Sequence, residues 1–209
     1  MKPLSLEAYQ PSKGVIKDAT ISQGTNLFFL ETVDYRFHSE IQKGFEIGDV
    51  GKVFCCMPSD FCLWFLFMNR KAFIERGVYE EGLVCAYTAA KVNNCEVPLS
   101  FLKSLFDDCD KDRLLKAGDP LPEGDQFVIY RGVCGVGRKR RARSYSWTLD
   151  YDRAKWFSER FSFLPNPAVY MATVKRKSIL CFIQSRNESE VITLPSWRDM
   201  QQVYSLPTE

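Results

Sequence analysis

The sequence predicts an α+β protein, with a helical N-terminal half followed by a β-rich half. Two observations carry this. Apolar residues recur at helical spacing between Ser59 and Ala117, and beyond Gly118-Asp119-Pro120-Leu121-Pro122 they gather into short runs rich in β-branched and aromatic residues. The expected division is a mostly helical region over 1–120 and a β-rich core over 121–209, able to form one compact unit. The chain has 209 residues, 45% of them hydrophobic and 14% aromatic, enough for the core of one domain with a small extension.

Taken in order, residues 1–50 are punctuated by Gly14, Gly24, Gly44 and Gly48 and read as turns with one or two strands or short helices, Leu27-Phe28-Phe29-Leu30 among them. A helix is expected from Ser59 or Asp60 as cap, through Leu63, Trp64, Phe67, Met68 and Phe73, to a stop at Gly77. A second runs from about Glu80 to Lys91 and a third from Pro98 to about Ala117. Five strands follow, over 126–131, 145–149, 168–174, 178–184 and 190–194. Between the second and third, Ala154, Trp156, Phe157 and Phe161 mark a short amphipathic helix over 150–161.

Composition narrows the function classes. A net charge of +2 makes any basic partner surface a local one. The eight cysteines sit mostly in apolar stretches such as Phe54-Cys55-Cys56-Met57 and Leu180-Cys181-Phe182, which favours free thiols and a cytoplasmic setting. Residues 1–10 lack the pattern of a secretion signal. The apolar stretch Val53 to Met68 is interrupted by Pro58, Ser59 and Asp60 and falls short of the roughly 20 residues of a spanning helix, so no membrane partner is expected. His38, the sole histidine, has no nucleophile or acid signature attached, and Cys55, Cys56 and Cys62 lack a second ligand pair, so no metal is expected.

Three motifs in the β-rich half carry chemistry. Arg131, in Tyr130-Arg131-Gly132, offers a planar fork of donors suited to phosphate, or an ordinary strand-end ion pair. Ser146 and Thr148 share one face of a strand with Trp147 on the other, a pattern that β-propensity alone also produces. Glu188 and Glu190 have the same two-residue spacing and could reach one cleft, or form part of a polar turn in Arg186-Asn187-Glu188-Ser189. Gly132-Val133-Cys134-Gly135-Val136-Gly137 lacks the Lys-Ser/Thr of a phosphate-binding loop and reads as a hairpin loop. The run Arg138, Lys139, Arg140, Arg141 and Arg143 is either a solvated loop or a target-binding patch for an acidic protein or nucleic acid.

In this order, and with Ala154, Phe157 and Val169-Tyr170 between them, the motifs over about 127–195 resemble an ADP-ribosyltransferase of the Arg-Ser-Glu class. The resemblance covers roughly a third of the chain. It implies a core of two small packed antiparallel sheets and NAD as co-substrate. It also implies transfer of ADP-ribose to a macromolecular acceptor, protein ahead of nucleic acid, with an arginine side chain the acceptor that a glutamate at position 188 often accompanies. Arg131 and Gly132 would hold NAD, and Ser146 and Thr148 would shape the pocket, although the family usually has serine where Thr148 stands. Phe157, Phe161 and Phe163 would offer a face to nicotinamide. Glu190 would stabilise the cation that develops on the ribose, and Glu188 would prepare the acceptor. The style of the family suggests a phage or mobile-element toxin or effector. The alternative is a non-catalytic module of the same fold whose basic loop binds nucleic acid or an acidic protein.

Overall fold

The computed structural model describes residues 33–90, 97–184 and 188–205, with the backbone alone for 138 and 139. Leu27–Leu30, Lys91, Cys95, Arg186 and Asn187 lie outside the described residues. The chain divides into two compact units, Met1–Asn93 with Ser100–Asp110, and Asn94–Leu99 with Lys111–Glu209.

The first unit is helical: α1 (His38–Ile47), α2 (Val50–Cys55), α3 (Cys62–Met68), α4 (Arg70–Arg76), α5 (Tyr79–Ala89) and α6 (Leu99–Asp107). Its core is aromatic. Phe73 lies 5.1 Å from Phe45 and 5.9 Å from Phe54, ring centre to ring centre, and Trp64 stacks on Phe101 at 4.4 Å. The single helix expected to Gly77 is two, separated at Asn69, whose φ of −102° and ψ of 11° leave the helical range. Asn69 is fully buried, and its side-chain amide donates to the Phe65 carbonyl. The expected cap is also corrected: Phe61, not Ser59 or Asp60, precedes α3, with no side-chain cap bond. Gly77 does end α4, in the left-handed conformation that glycine adopts without steric cost.

The helix expected over 98–117 is likewise two, because Asp108, Cys109 and Asp110 interrupt it between α6 and α7 (Lys111–Lys116). The Asp110 backbone N–H is taken by the Glu80 carboxylate at 3.0 Å, and the Tyr79 hydroxyl donates to the Leu105 carbonyl at 3.0 Å. These bonds fasten the end of α6 to the start of α5.

The second unit contains one antiparallel sheet of six strands in the order β4-β5-β2-β1-β3-β6. The strands are β1 (Gln126–Val133), β2 (Ser146–Thr148), β3 (Ala168–Lys175), β4 (Cys181–Ile183), β5 (Glu190–Ile192) and β6 (Met200–Ser205), with α8 (Tyr151–Glu159) between β2 and β3. Two features differ from expectation. The two small sheets are a single sheet among the described residues, because β1 pairs with both β2 and β3 and so joins the strands on either side. The sixth strand, Met200-Gln201-Gln202-Val203-Tyr204-Ser205, escapes sequence reading because it is an edge strand paired through backbone to β3 and largely exposed.

One face of the sheet packs a core of Phe127, Ile129, Trp147, Ala172, Val174, Ile179, Phe182 and Val191. On the opposite face of β1, α8 approaches at Gly132. A Cβ there would fall inside the radius of the Ala154 carbonyl oxygen and 2.7 Å from the Ser158 nitrogen. Ala154 and Ser158, four residues apart and buried, present the small face that permits this approach.

This packing bears on stability in two ways. Gly132→Ala should cost roughly 3 kcal/mol or more, because backbone has to move to admit the methyl group; thermal unfolding checks this, and an unchanged melting temperature would contradict the close approach. The thiols of Cys62 and Cys181 are pushed up to about 12, chiefly by burial. Since both folded values lie above the ordinary 9.0, the stability they contribute is complete below about pH 9 and is lost as the pH rises toward 12. Urea midpoints at about pH 8 and about pH 10.5 should fall in that order, with Cys181→Ala flattening the difference.

Candidate active site

β2 is three residues long, yet it sets the geometry of the site. Trp147 is buried in the core, and its indole N–H donates to the Ser144 carbonyl at 2.7 Å. Strand alternation then turns Ser146 and Thr148 to the other face. β2 lies between β1 and β5, with Tyr130 opposite Thr148 on one side and Glu190 opposite Thr148 on the other. Arg131, the Ser146 and Thr148 pair and Glu190 therefore lie on three neighbouring strands.

The Ser146 hydroxyl donates to Glu190 Oε1 at 2.5 Å. The Thr148 hydroxyl donates to the Glu188 carbonyl at 2.6 Å and accepts from the Asp150 backbone N–H at 3.0 Å. Asp150 in turn caps α8, its carboxylate accepting the Arg153 backbone N–H at 3.1 Å. One hydroxyl thus ties the loop before β5 to the start of the helix that covers β1. Glu190 is half-buried at the first position of β5, and its charge is a secondary influence, after burial, on the raised Cys181 thiol.

Glu188 relates to Glu190 differently from two neighbours on one strand. It precedes β5, and Ser189 between them has a φ of 43°, so strand alternation does not run from one glutamate to the other. The Ser189 carbonyl accepts the Leu149 N–H at 3.1 Å, which extends the contact of β2 and β5 through this turn. Glu188 is held at its backbone by Thr148, a link that only the structure displays.

Arg131 donates from Nη1 to the Ser146 carbonyl at 2.6 Å and from Nε to the Arg141 carbonyl at 3.3 Å. Along β1 it shares the core face of Phe127 and Ile129, whereas Tyr130 follows the opposite face, that of Ser146, Thr148 and Glu190. Its guanidinium braces the backbone of β2 and of the loop before it. Gly132 is the seat of α8, which gives the Tyr-Arg-Gly motif a packing reason for its glycine. The Tyr130 ring meets that of Tyr151, the first residue of α8, edge-on at 5.4 Å.

The aromatic candidates lie in the last turn of α8, with Phe157, and beyond its end, with Phe161 and Phe163. Phe157 and Phe161 are half-buried and Phe163 is 78% exposed, with Phe161 and Phe163 5.7 Å apart. The Arg160 guanidinium lies 4.6 Å from the centre of the Phe161 ring and 5.0 Å from that of Phe157. In the basic run, three arginines donate to backbone: Arg140 to Asn166, Arg141 to Val97 and Arg143 to Pro195. These side chains order the loop that leads into β2. Among the described residues no group of three or more His, Cys, Asp or Glu side chains is placed to hold a metal ion, and no helix is long and apolar enough to cross a membrane.

The chain matches no protein-family model, and searches of curated proteins and of solved structures gave no match. The functional reading therefore rests on the geometry above and on the sequence resemblance.

Thr148→Val keeps the shape of the side chain and removes both hydroxyl bonds. It should lower stability by roughly 1–3 kcal/mol, by leaving the Glu188 carbonyl and the Asp150 N–H without this partner. Chemical denaturation checks the loss; an unchanged midpoint would mean that the hydroxyl does not fasten the turn.

Proposed function

We propose that the chain is an NAD-dependent mono-ADP-ribosyltransferase, transferring ADP-ribose to a macromolecular acceptor. The observation that carries the reading is the bond from the Ser146 hydroxyl to the Glu190 carboxylate across adjacent strands. A carboxylate whose oxygen is held by a hydroxyl keeps one orientation, and a fixed negative charge lowers the barrier to a reaction that develops positive charge beside it. Cleavage of the glycosidic bond of NAD is such a reaction.

The residues fit this use in distinct ways. Glu190 is the charged group that would face the reacting ribose, and Ser146 is its positioning residue. Thr148 fastens the turn from which Glu188 would act on the acceptor. Phe157, Phe161 and Phe163 offer apolar ring faces suited to the departing nicotinamide. Arg131 is supported as the brace of β2 by its bond to the Ser146 carbonyl, while a hold on the NAD phosphates comes from the sequence resemblance alone. An arginine acceptor and a phage or mobile-element role likewise rest on that resemblance.

Nicotinamide release from labelled NAD is the test. Wild type should release it, and Glu190→Gln, which keeps the side-chain shape without the charge, should lose at least about two orders of magnitude in rate. Ser146→Ala should lower the rate while the chain stays folded. Glu188→Gln should retain release of nicotinamide and lose transfer. Equal turnover by wild type and Glu190→Gln would overturn the assignment.

A further inference from the structure

The basic run and the exposed aromatic rings are separate in sequence, but the fold brings their loops together. The Gly135 N–H donates to the Pro165 carbonyl at 2.5 Å, and Arg140 Nε donates to the Asn166 carbonyl at 3.1 Å. The loop between β1 and β2 is thereby fastened to the loop between α8 and β3. Along this second loop and the helix before it, cations alternate with rings. Arg153 lies 5.4 Å and Arg160 5.9 Å from the ring centre of Trp156, and Arg160 also covers Phe157 and Phe161.

Two physical features define what this surface suits. The first is charge. Residues 134–167 carry eight Lys and Arg against three Asp and Glu, a local excess of five on a chain whose net charge is +2. One of those acids, Glu159, is also engaged by the Tyr204 hydroxyl. The second is ring exposure. Trp156 is 51% and Phe163 78% exposed, large apolar rings left in water, Trp156 beside two guanidinium groups and Phe163 beside the Phe161 ring that Arg160 covers.

We infer that this surface binds single-stranded nucleic acid. Phosphates would be drawn by the cationic excess, and unstacked bases would lie on the Trp156 and Phe163 rings. A duplex keeps its bases stacked on each other and offers such rings only its backbone, so the exposed rings favour a single strand. An acidic protein would meet the charge but has no flat bases to stack on the rings. Of these two rings Phe163 is shared with the residues proposed above to face nicotinamide and Trp156 is not, so the inference is read at Trp156 and stands without NAD cleavage.

The test is fluorescence anisotropy of a labelled oligothymidylate titrated with the full chain, beside a duplex of the same length and a polyglutamate competitor. The single strand should bind at least roughly tenfold more tightly than the duplex, and Trp156→Ala should weaken it by roughly tenfold, with Trp156→Phe restoring most of the loss. Replacing Arg153 and Arg160 by Gln should reduce the salt dependence, by about 0.7 in logarithmic slope for each phosphate that the variant no longer neutralises. Circular dichroism on the same samples shows that the variants are folded. Absence of binding at low salt would overturn the inference. So would equal affinity for duplex with no effect of Trp156→Ala, or displacement of the oligonucleotide by polyglutamate at matching concentration.

Discussion

Burial of Trp147 is the constraint on which the site depends. A three-residue strand has little hydrogen bonding of its own to decide which way it faces. Burying the indole decides it: loss of a large core aromatic costs roughly 3–5 kcal/mol, against about 1 kcal/mol for a single hydrogen bond. With Trp147 in the core, Ser146 and Thr148 face the other side of the sheet, and both hydroxyls meet the chain around β5. The core and the candidate site are two faces of one strand, so the packing that stabilises the unit also aims the hydroxyl at Glu190.

A second layer follows from Gly132. Because α8 seats directly on that glycine, the helix begins just after β2, and Asp150 both caps it and donates its N–H to Thr148. The Thr148 hydroxyl therefore joins strand, turn and helix. Arg131 works from the core side of the same sheet, with its guanidinium on the Ser146 carbonyl. The motifs are mechanically coupled through backbone atoms as well as placed on adjacent strands. Coupling of this kind supports a fixed carboxylate, and the enzymatic reading rests on that fixity together with the resemblance.

Much of this is legible in sequence because it follows from local periodicity. The alternation Ser146-Trp147-Thr148, the apolar strand runs and the spacing of Ala154 in α8 each have a two- or 3.6-residue period that reports a face. The parts that are not legible lack such a period. At the break between α3 and α4, Asn69-Arg70-Lys71 reads equally well as one polar turn of a continuous helix, and nothing in the sequence tells that Asn69 is buried while Lys71 is exposed. β6 has no buried face to alternate. The left-handed Ser189 interrupts the spacing from Glu188 to Glu190, and neither residue type announces it. The bond between Ser146 and Glu190 joins residues 44 apart in sequence, a pairing decided by the tertiary register of β2 with β5. The fastening of the basic loop to the Phe163 loop joins the Gly135 N–H and the Arg140 side chain to the backbone carbonyls of Pro165 and Asn166, acceptors that every sequence carries alike.

If the β1-β2-β5 arrangement presents Glu190 to NAD, a structure of the chain with a non-hydrolysable NAD analogue will display it. The ribose next to nicotinamide should lie within hydrogen-bond distance of Glu190, with the Ser146 bond to the carboxylate retained. An analogue that binds elsewhere, or leaves Glu190 without contact to the ribose, would contradict this arrangement.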